Sequence, residues 1–159
     1  MFDKIINLMR KKEEKEPQYR EGIFLVVYKI EDSQIKYLIL KRILHWKGWE
    51  FPKGGKETGE TDLETVFREL KEETGLKPVS IMSFKIKGNY HYSSNLHDRI
   101  HTGQTYTLYA AEVKGSQINY DEHEHEGYMW ANYETAVRKL TWPNQKLCLK
   151  KVNKKLEMG

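Results

Sequence analysis

Apolar residues in this chain fall into short blocks, and the polar stretches between them mark the joints. Residues 22–29 (GIFLVVYK) form one apolar run closed by Lys29, and 37–41 (YLILK) form a second closed by Lys41. Runs this short, rich in Val, Ile and Tyr, predict buried strands. The polar stretch between them predicts a hairpin turn at Ser33-Gln34. Further strands are predicted over 79–87, 105–113 and 127–131. Residues 45–56 hold Trp, Gly and Lys and predict a loop, and 89–104 is polar and predicts an exposed one. Helical spacing of apolar residues predicts helices over 62–74, 133–140 and 144–156, the last of them basic. Phe2, Ile5, Ile6 and Met9 also recur at helical spacing, with Pro17 as a stop, so 1–16 predicts a short amphipathic arm. Strands interrupted by a few helices predict an α+β fold, a sheet sandwiched by helices.

Composition narrows the class. The chain has 159 residues, which suits one domain. No apolar run approaches the ~18 residues of a membrane span, and residues 1–16 lack a secretory h-region. Cys148 is the single cysteine, so an internal disulfide is excluded and a cytoplasmic setting is expected. The net charge of +4 suits an anionic ligand such as a polyphosphate or RNA, and equally a mildly basic solvated surface.

The predicted helix at 62–74 carries the chemistry. Thr61 and Glu64 have the spacing of a capping box, and Gly75 supplies a left-handed C-terminal position. Leu63, Val66, Phe67 and Leu70 make one apolar stripe that predicts the docking face. Glu69, Glu72 and Glu73 stand at i, i+3 and i+4, so they share a face, expected to be one the core does not use. Three neighbouring carboxylates repel, at a few tenths of a kcal/mol per pair, roughly, in a solvated helix. A hard divalent cation removes that cost, because Mg²⁺ takes oxygen ligands. Glu60 stands just ahead of the helix, and Arg68 is placed to orient a carboxylate through a forked pair.

Gly54, Glu60, Arg68-Glu69-Leu70, Glu72-Glu73 and Gly75-Leu76 resemble the Nudix box at every defined position. The resemblance implies an α/β/α sandwich with a mixed sheet over 19–159, behind a helical extension at 1–18. It implies a pyrophosphohydrolase that uses Mg²⁺, with Mn²⁺ as a substitute. The implied metal ligands are Glu69, Glu72 and Glu73, with Glu60 weaker and the backbone carbonyl of Gly54 or Gly55 added. Arg68 is implied as an orienter. The general base stays open between a box glutamate, Glu72, and a later loop glutamate, Glu124. His123 and His125 flank Glu124 and leave open a transition-metal pair or a polar loop.

The flanks narrow the group. Trp49 to Gly54 (WEFPKG) and Glu124-His125 ahead of Tyr128-Met129-Trp130 look like the asymmetric diadenosine tetraphosphate hydrolases, which release ATP and AMP. That likeness places Lys53 near phosphates and Tyr90 and Tyr128 as substrate contacts, with Tyr90 stacking on a base. Trp49 reads as a hydrophobic plug. Gly48 and Gly55 stand where that group has histidines, and 93–103 looks like an insertion. Phe51-Pro52-x-Gly54-Gly55 also resembles RNA 5′-pyrophosphohydrolases, and Lys146, Lys150, Lys151, Lys154 and Lys155 give such an RNA a basic track. A non-catalytic nucleotide- or RNA-binding module is the third alternative, which the full set of carboxylates opposes.

Overall fold

The computed structural model describes residues 18–92 and 103–159. Its strands are β1 (Tyr19–Glu31), β2 (Gln34–Arg42), β3 (Gly48–Glu50), β4 (Lys53–Gly55), β5 (Ser80–His91), β6 (Gly103–Glu112) and β7 (His125–Ala131). Its helices are α1 (Asp62–Thr74), α2 (Tyr133–Lys139) and α3 (Pro143–Met158). The arm expected at 1–16 and most of the insertion expected at 93–103 lie outside the described residues.

The strands make one mixed sheet in the order β3-β2-β1-β6-β5, with β4 added to β1 and β7 to β2. β1 runs parallel to β6, and the other pairs are antiparallel. The unbroken apolar run of β1 follows from cover on both faces. Ile23, Leu25 and Val27 face α1 with Leu38, Leu40, Val66 and Leu70. Phe24, Val26 and Tyr28 face α2 and α3 with Ile39, Ala136, Leu149 and Val152. Each such side chain, fully buried, contributes about 1.5–3 kcal/mol. The Tyr37 hydroxyl donates to Asn153 Oδ1 at 2.7 Å, which ties β2 to α3 inside this layer. None of the described helices is long and apolar enough to cross a membrane.

Three boundaries differ from the sequence expectation. The hairpin turn is Asp32-Ser33, with φ of 51° and 61°, and Gln34 already pairs with Glu31. A two-residue turn with both centres left-handed matches the twist of its strands, and Asp tolerates that conformation. The stretch expected as loop at 45–56 contains β3 and β4. β5 runs on to His91, past a register shift between Ser83 and Lys87 where Lys85 has φ 53°. The second half of the strand is hidden in the sequence by Gly88-Asn89, a pair that reads as a turn.

Candidate active site

The site is built where β4 meets α1. β4 pairs with β1 through Gly22 and Gly55, Ile23 and Gly54, and Phe24 and Lys53. The Phe51 amide donates to Gln145 Oε1 at 3.0 Å, so α3 anchors the approach to this strand from below. Glycine at 54 allows a close approach: a Cβ there would overlap the Glu69 carboxylate, which would have to move. A Cβ on Gly55 would overlap the Arg20 guanidinium, and one on Gly48 would overlap Thr141. The two glycines that depart from the tetraphosphatase pattern are thus positions whose side-chain space other residues occupy.

α1 begins as its sequence predicts. Thr61 and Glu64 form the reciprocal capping box, and Gly75 closes the helix at φ 74°. Its inner face differs from the predicted stripe. Val66 and Leu70 are fully buried, but Leu63 and Phe67 are each 52% exposed. Glu69 and Glu73 are buried instead, at 6% and 7% exposure. The rows Val66–Leu70 and Thr65–Glu69–Glu73 lie side by side at i, i+4 spacing, so the inward face is half apolar and half carboxylate. The glutamates therefore do not occupy a face apart from the core. They run from its edge at Glu69 and Glu73 to the exposed Glu72.

Arg68 holds this edge. Its Nε and Nη2 donate to the two oxygens of Glu60 at 2.8 and 2.9 Å. Nη1 donates to Glu69 at 2.9 Å and Glu72 at 3.2 Å, and Nη2 also reaches the Gly55 carbonyl at 2.7 Å. One planar guanidinium thus ties the loop to the helix through the fork geometry that lysine lacks. Glu60 accepts further bonds from the Thr65 hydroxyl and the Glu57 amide. The Arg68 hydrogen bond, followed in order by a smaller opposing effect of desolvation, leaves the Glu60 carboxyl at about 2. Both its oxygens are committed to these partners, so Glu60 reaches the cluster through Arg68.

The inner carboxylates have the opposite character. Burial, partly offset by Arg68, pushes Glu69 up to about 7. Burial and then the charges of Glu124, Glu69 and Glu50 push Glu73 up to about 9. Ionised together, they would need more positive charge than the protein places beside them.

Beside these carboxylates lies a second buried ionic group. His125 Nε2 meets Glu50 Oε1 at 2.9 Å, and Arg42 Nη1 donates to the same oxygen at 2.9 Å. Lys53 Nζ approaches Glu50 Oε2 at 3.6 Å and lies 4.9 Å from the Tyr90 ring centre. Desolvation favours the neutral acid at Glu50, but Lys53, His125 and Arg42 together outweigh it and hold the carboxyl at about 2. His125 Nδ1 faces Glu73 Oε2 at 3.6 Å, and neither buried atom has a hydrogen-bond partner among the described residues. Donor atoms of Glu73, Glu124 and His125 lie within 4.8 Å of one another.

These walls enclose a cleft of about 480 Å³. Gly54, Glu69, Glu72, Glu73 and Glu124 line it together with Lys53 and Tyr90. Tyr128, expected as a substrate contact, does not line it. β7 pairs Tyr128 with Leu40, and its ring packs against Tyr120, 6.1 Å away. Trp49 packs on the core beside α2 and α3, the plug its sequence predicts. His123 is exposed and lies outside the Glu73–Glu124–His125 group, so the two histidines do not form a pair. Sequence reasoning missed Arg20, Arg42, Trp46 and the role of Glu50, all at or behind the cleft. Glu50 carried a signal: an acid between Trp49 and Phe51 is a charge among core residues, which demands a partner.

Comparison with known proteins agrees with this geometry. A family model described as NUDIX domain matches residues 19–152. The chain is 30% identical over 128 residues to the asymmetrical bis(5′-nucleosyl)-tetraphosphatase of Mus musculus, covering 78% of this chain and 82% of that one. It is 28% identical over 134 residues to an RNA pyrophosphohydrolase of Hydrogenovibrio crunogenus, covering 76% and 78%. In fold it is similar to a binary complex of a C. elegans Ap4A hydrolase, with a TM-score of 0.68 at 20% identity over 88% of this chain and 99% of that one.

Proposed function

Because this chain belongs to the Nudix hydrolase family, enzymes that act on acid anhydrides, we propose that its substrate is a dinucleoside polyphosphate such as diadenosine tetraphosphate, cut to ATP and AMP. The observation that carries the reading is the mixed lining of the cleft: carboxylates share it with Lys53 and Tyr90, a cation beside an aromatic ring. The first suits a metal-bound polyphosphate and the second a base with its adjacent phosphate. The likeness to the mouse tetraphosphatase supports it.

The residues fit a divalent cation. Glu73 Oε2 is buried without a partner, and the carboxyls of Glu69 and Glu73 are both pushed up by burial among like charges. Glu69, Glu72, Glu73 and the Gly54 carbonyl would hold Mg²⁺, or Mn²⁺ in its place. Such an ion, when bound, neutralises phosphate oxygens and makes water more acidic. Arg68 fixes Glu69 and Glu72 in place and itself stays charged. Lys53 and Arg20 face the cleft as cations for phosphate oxygens, and Arg20 forms no ion pair among the described residues. Tyr90 stacks on a base. Glu72, exposed at the cleft edge, and Glu124, whose side chain forms no hydrogen bond among the described residues, are the two groups placed to take a proton from water. Incubation with Mg²⁺ and diadenosine tetraphosphate tests the substrate. Folded protein with no turnover sinks the assignment.

A second reading is an RNA 5′-pyrophosphohydrolase. It is favoured by the similarity to the Hydrogenovibrio enzyme and by α3, on which Lys150, Lys151, Lys154 and Lys155 are exposed. Those lysines do not line the cleft. If this reading holds, triphosphorylated RNA loses pyrophosphate and its affinity falls steeply with salt.

A further inference from the structure

The carboxylate face of α1 does not explain the buried pair formed by Glu50 and His125. His125 is buried at 2% exposure, next to Glu73 and Glu124, which line the cleft. Glu50 Oε1 also accepts from Arg42, so this oxygen belongs to an anionic, acceptor-only group. The bond from His125 Nε2 at 2.9 Å is then a donation, which fixes the tautomer. In the neutral ring Nδ1 carries a lone pair. Among the described residues that lone pair has no hydrogen-bond partner, and it faces the equally unpartnered Glu73 Oε2, 3.6 Å away. A carboxylate–histidine pair with the far nitrogen unprotonated is the arrangement that prepares a histidine to ligate metal.

We propose that His125 Nδ1, Glu73 and Glu124 form a mixed nitrogen–oxygen site for a first-row transition cation, beside the oxygen-only site of the box. The three donor atoms are already close enough, within 4.8 Å of one another, to share one ion. Glu73 and Glu124 both line the cleft, which gives the ion an entry path. The ligand chemistry selects against Mg²⁺, which keeps oxygen ligands and several waters, and for ions that accept imidazole. Glu50 is the positioning residue: it holds the ring so that Nδ1 faces the carboxylates. With Glu124 engaged as a ligand, proton abstraction falls to Glu72.

The proposal shares Glu73 with the oxygen site above, and its test separates the two. The probe is Mn²⁺ alone, added to the metal-free full chain and read by pulsed electron paramagnetic resonance. The expected result is ¹⁴N modulation from a directly bound imidazole, retained in tenfold excess Mg²⁺. His125→Gln should abolish it and weaken Mn²⁺ binding at least tenfold. Glu124→Gln leaves the ring pair intact and should weaken the nitrogen-coupled signal, which covers the case in which the buried His125 variant does not fold. Bound Mn²⁺ without ¹⁴N modulation in the wild type overturns this inference and leaves the oxygen site standing. Absence of Mn²⁺ binding overturns both. Loss of the modulation on adding Mg²⁺ overturns the selectivity.

Discussion

Glu73→Gln should make the metal-free protein more stable while removing its activity. The reason lies in linkage. The Glu73 carboxyl is pushed up from an ordinary 4.5 to about 9, by burial first and then by Glu124, Glu69 and Glu50. A carboxyl raised on folding contributes stability that is fully present below the unfolded value and is lost as pH rises toward the folded one. Between about 4.5 and pH 8, at 1.36 kcal/mol per pH unit, the loss is bounded at about 5 kcal/mol. Hydration through the open cleft and side-chain relaxation bring the expected effect to about 2 kcal/mol. Glutamine has the same shape and no charge, and its amide can donate to the orphaned His125 Nδ1. Metal-free Glu73→Gln should therefore melt about 4–8 °C above wild type at pH 8, at about 2–4 °C per kcal/mol for this size of domain. At pH 5 the two should nearly coincide. Adding Mg²⁺ should raise the wild type more than the variant, because the variant lacks a ligand. The assay is thermal denaturation by circular dichroism in EDTA and in Mg²⁺ at both pH values, with turnover measured in parallel. A variant no more stable than wild type at pH 8 in EDTA would refute the reasoning that burial strains this carboxylate.

Other substitutions separate the remaining roles. Glu72→Gln and Glu124→Gln should differ in kcat, and the one that serves as base should lose about 10²–10⁴-fold together with the acidic limb of its pH–rate profile. If both profiles keep that limb, neither residue is the base. Arg68→Lys keeps the charge but loses the fork that joins Glu60, Glu69, Glu72 and the Gly55 carbonyl. A loss of about 1–3 kcal/mol in denaturant unfolding is expected, with lower kcat. An unchanged midpoint and rate would show that the network is incidental. Tyr90→Ala should raise KM for a dinucleotide about tenfold, near 1–2 kcal/mol of stacking, whereas Tyr128→Ala should leave it unchanged. The reverse pattern in steady-state kinetics would show that the base binds elsewhere.

Much of this was legible in the chain because local signals agreed with the tertiary ones. The start and stop of α1 follow from Thr61, Glu64 and Gly75, and the double burial of β1 follows from its unbroken run. The box spacing gave the family by its residues alone. What failed were features set by contacts between distant segments. A helical wheel cannot say that Leu63 and Phe67 stay exposed while Glu69 and Glu73 turn inward. That choice depends on β4 passing against the Glu69 carboxylate. The pairing of His125 with Glu50 spans 75 residues and leaves no periodic trace. Tyr128 lies outside the cleft lining and packs against Tyr120, a contact that motif spacing does not carry.

The substrate assignment is tested most directly by the products. Purified protein with Mg²⁺ and diadenosine tetraphosphate, followed by chromatography of the nucleotides, should give ATP and AMP in equal amounts, and none without a divalent cation. Formation of two ADP, or no turnover by protein that is folded and binds metal, would contradict the account.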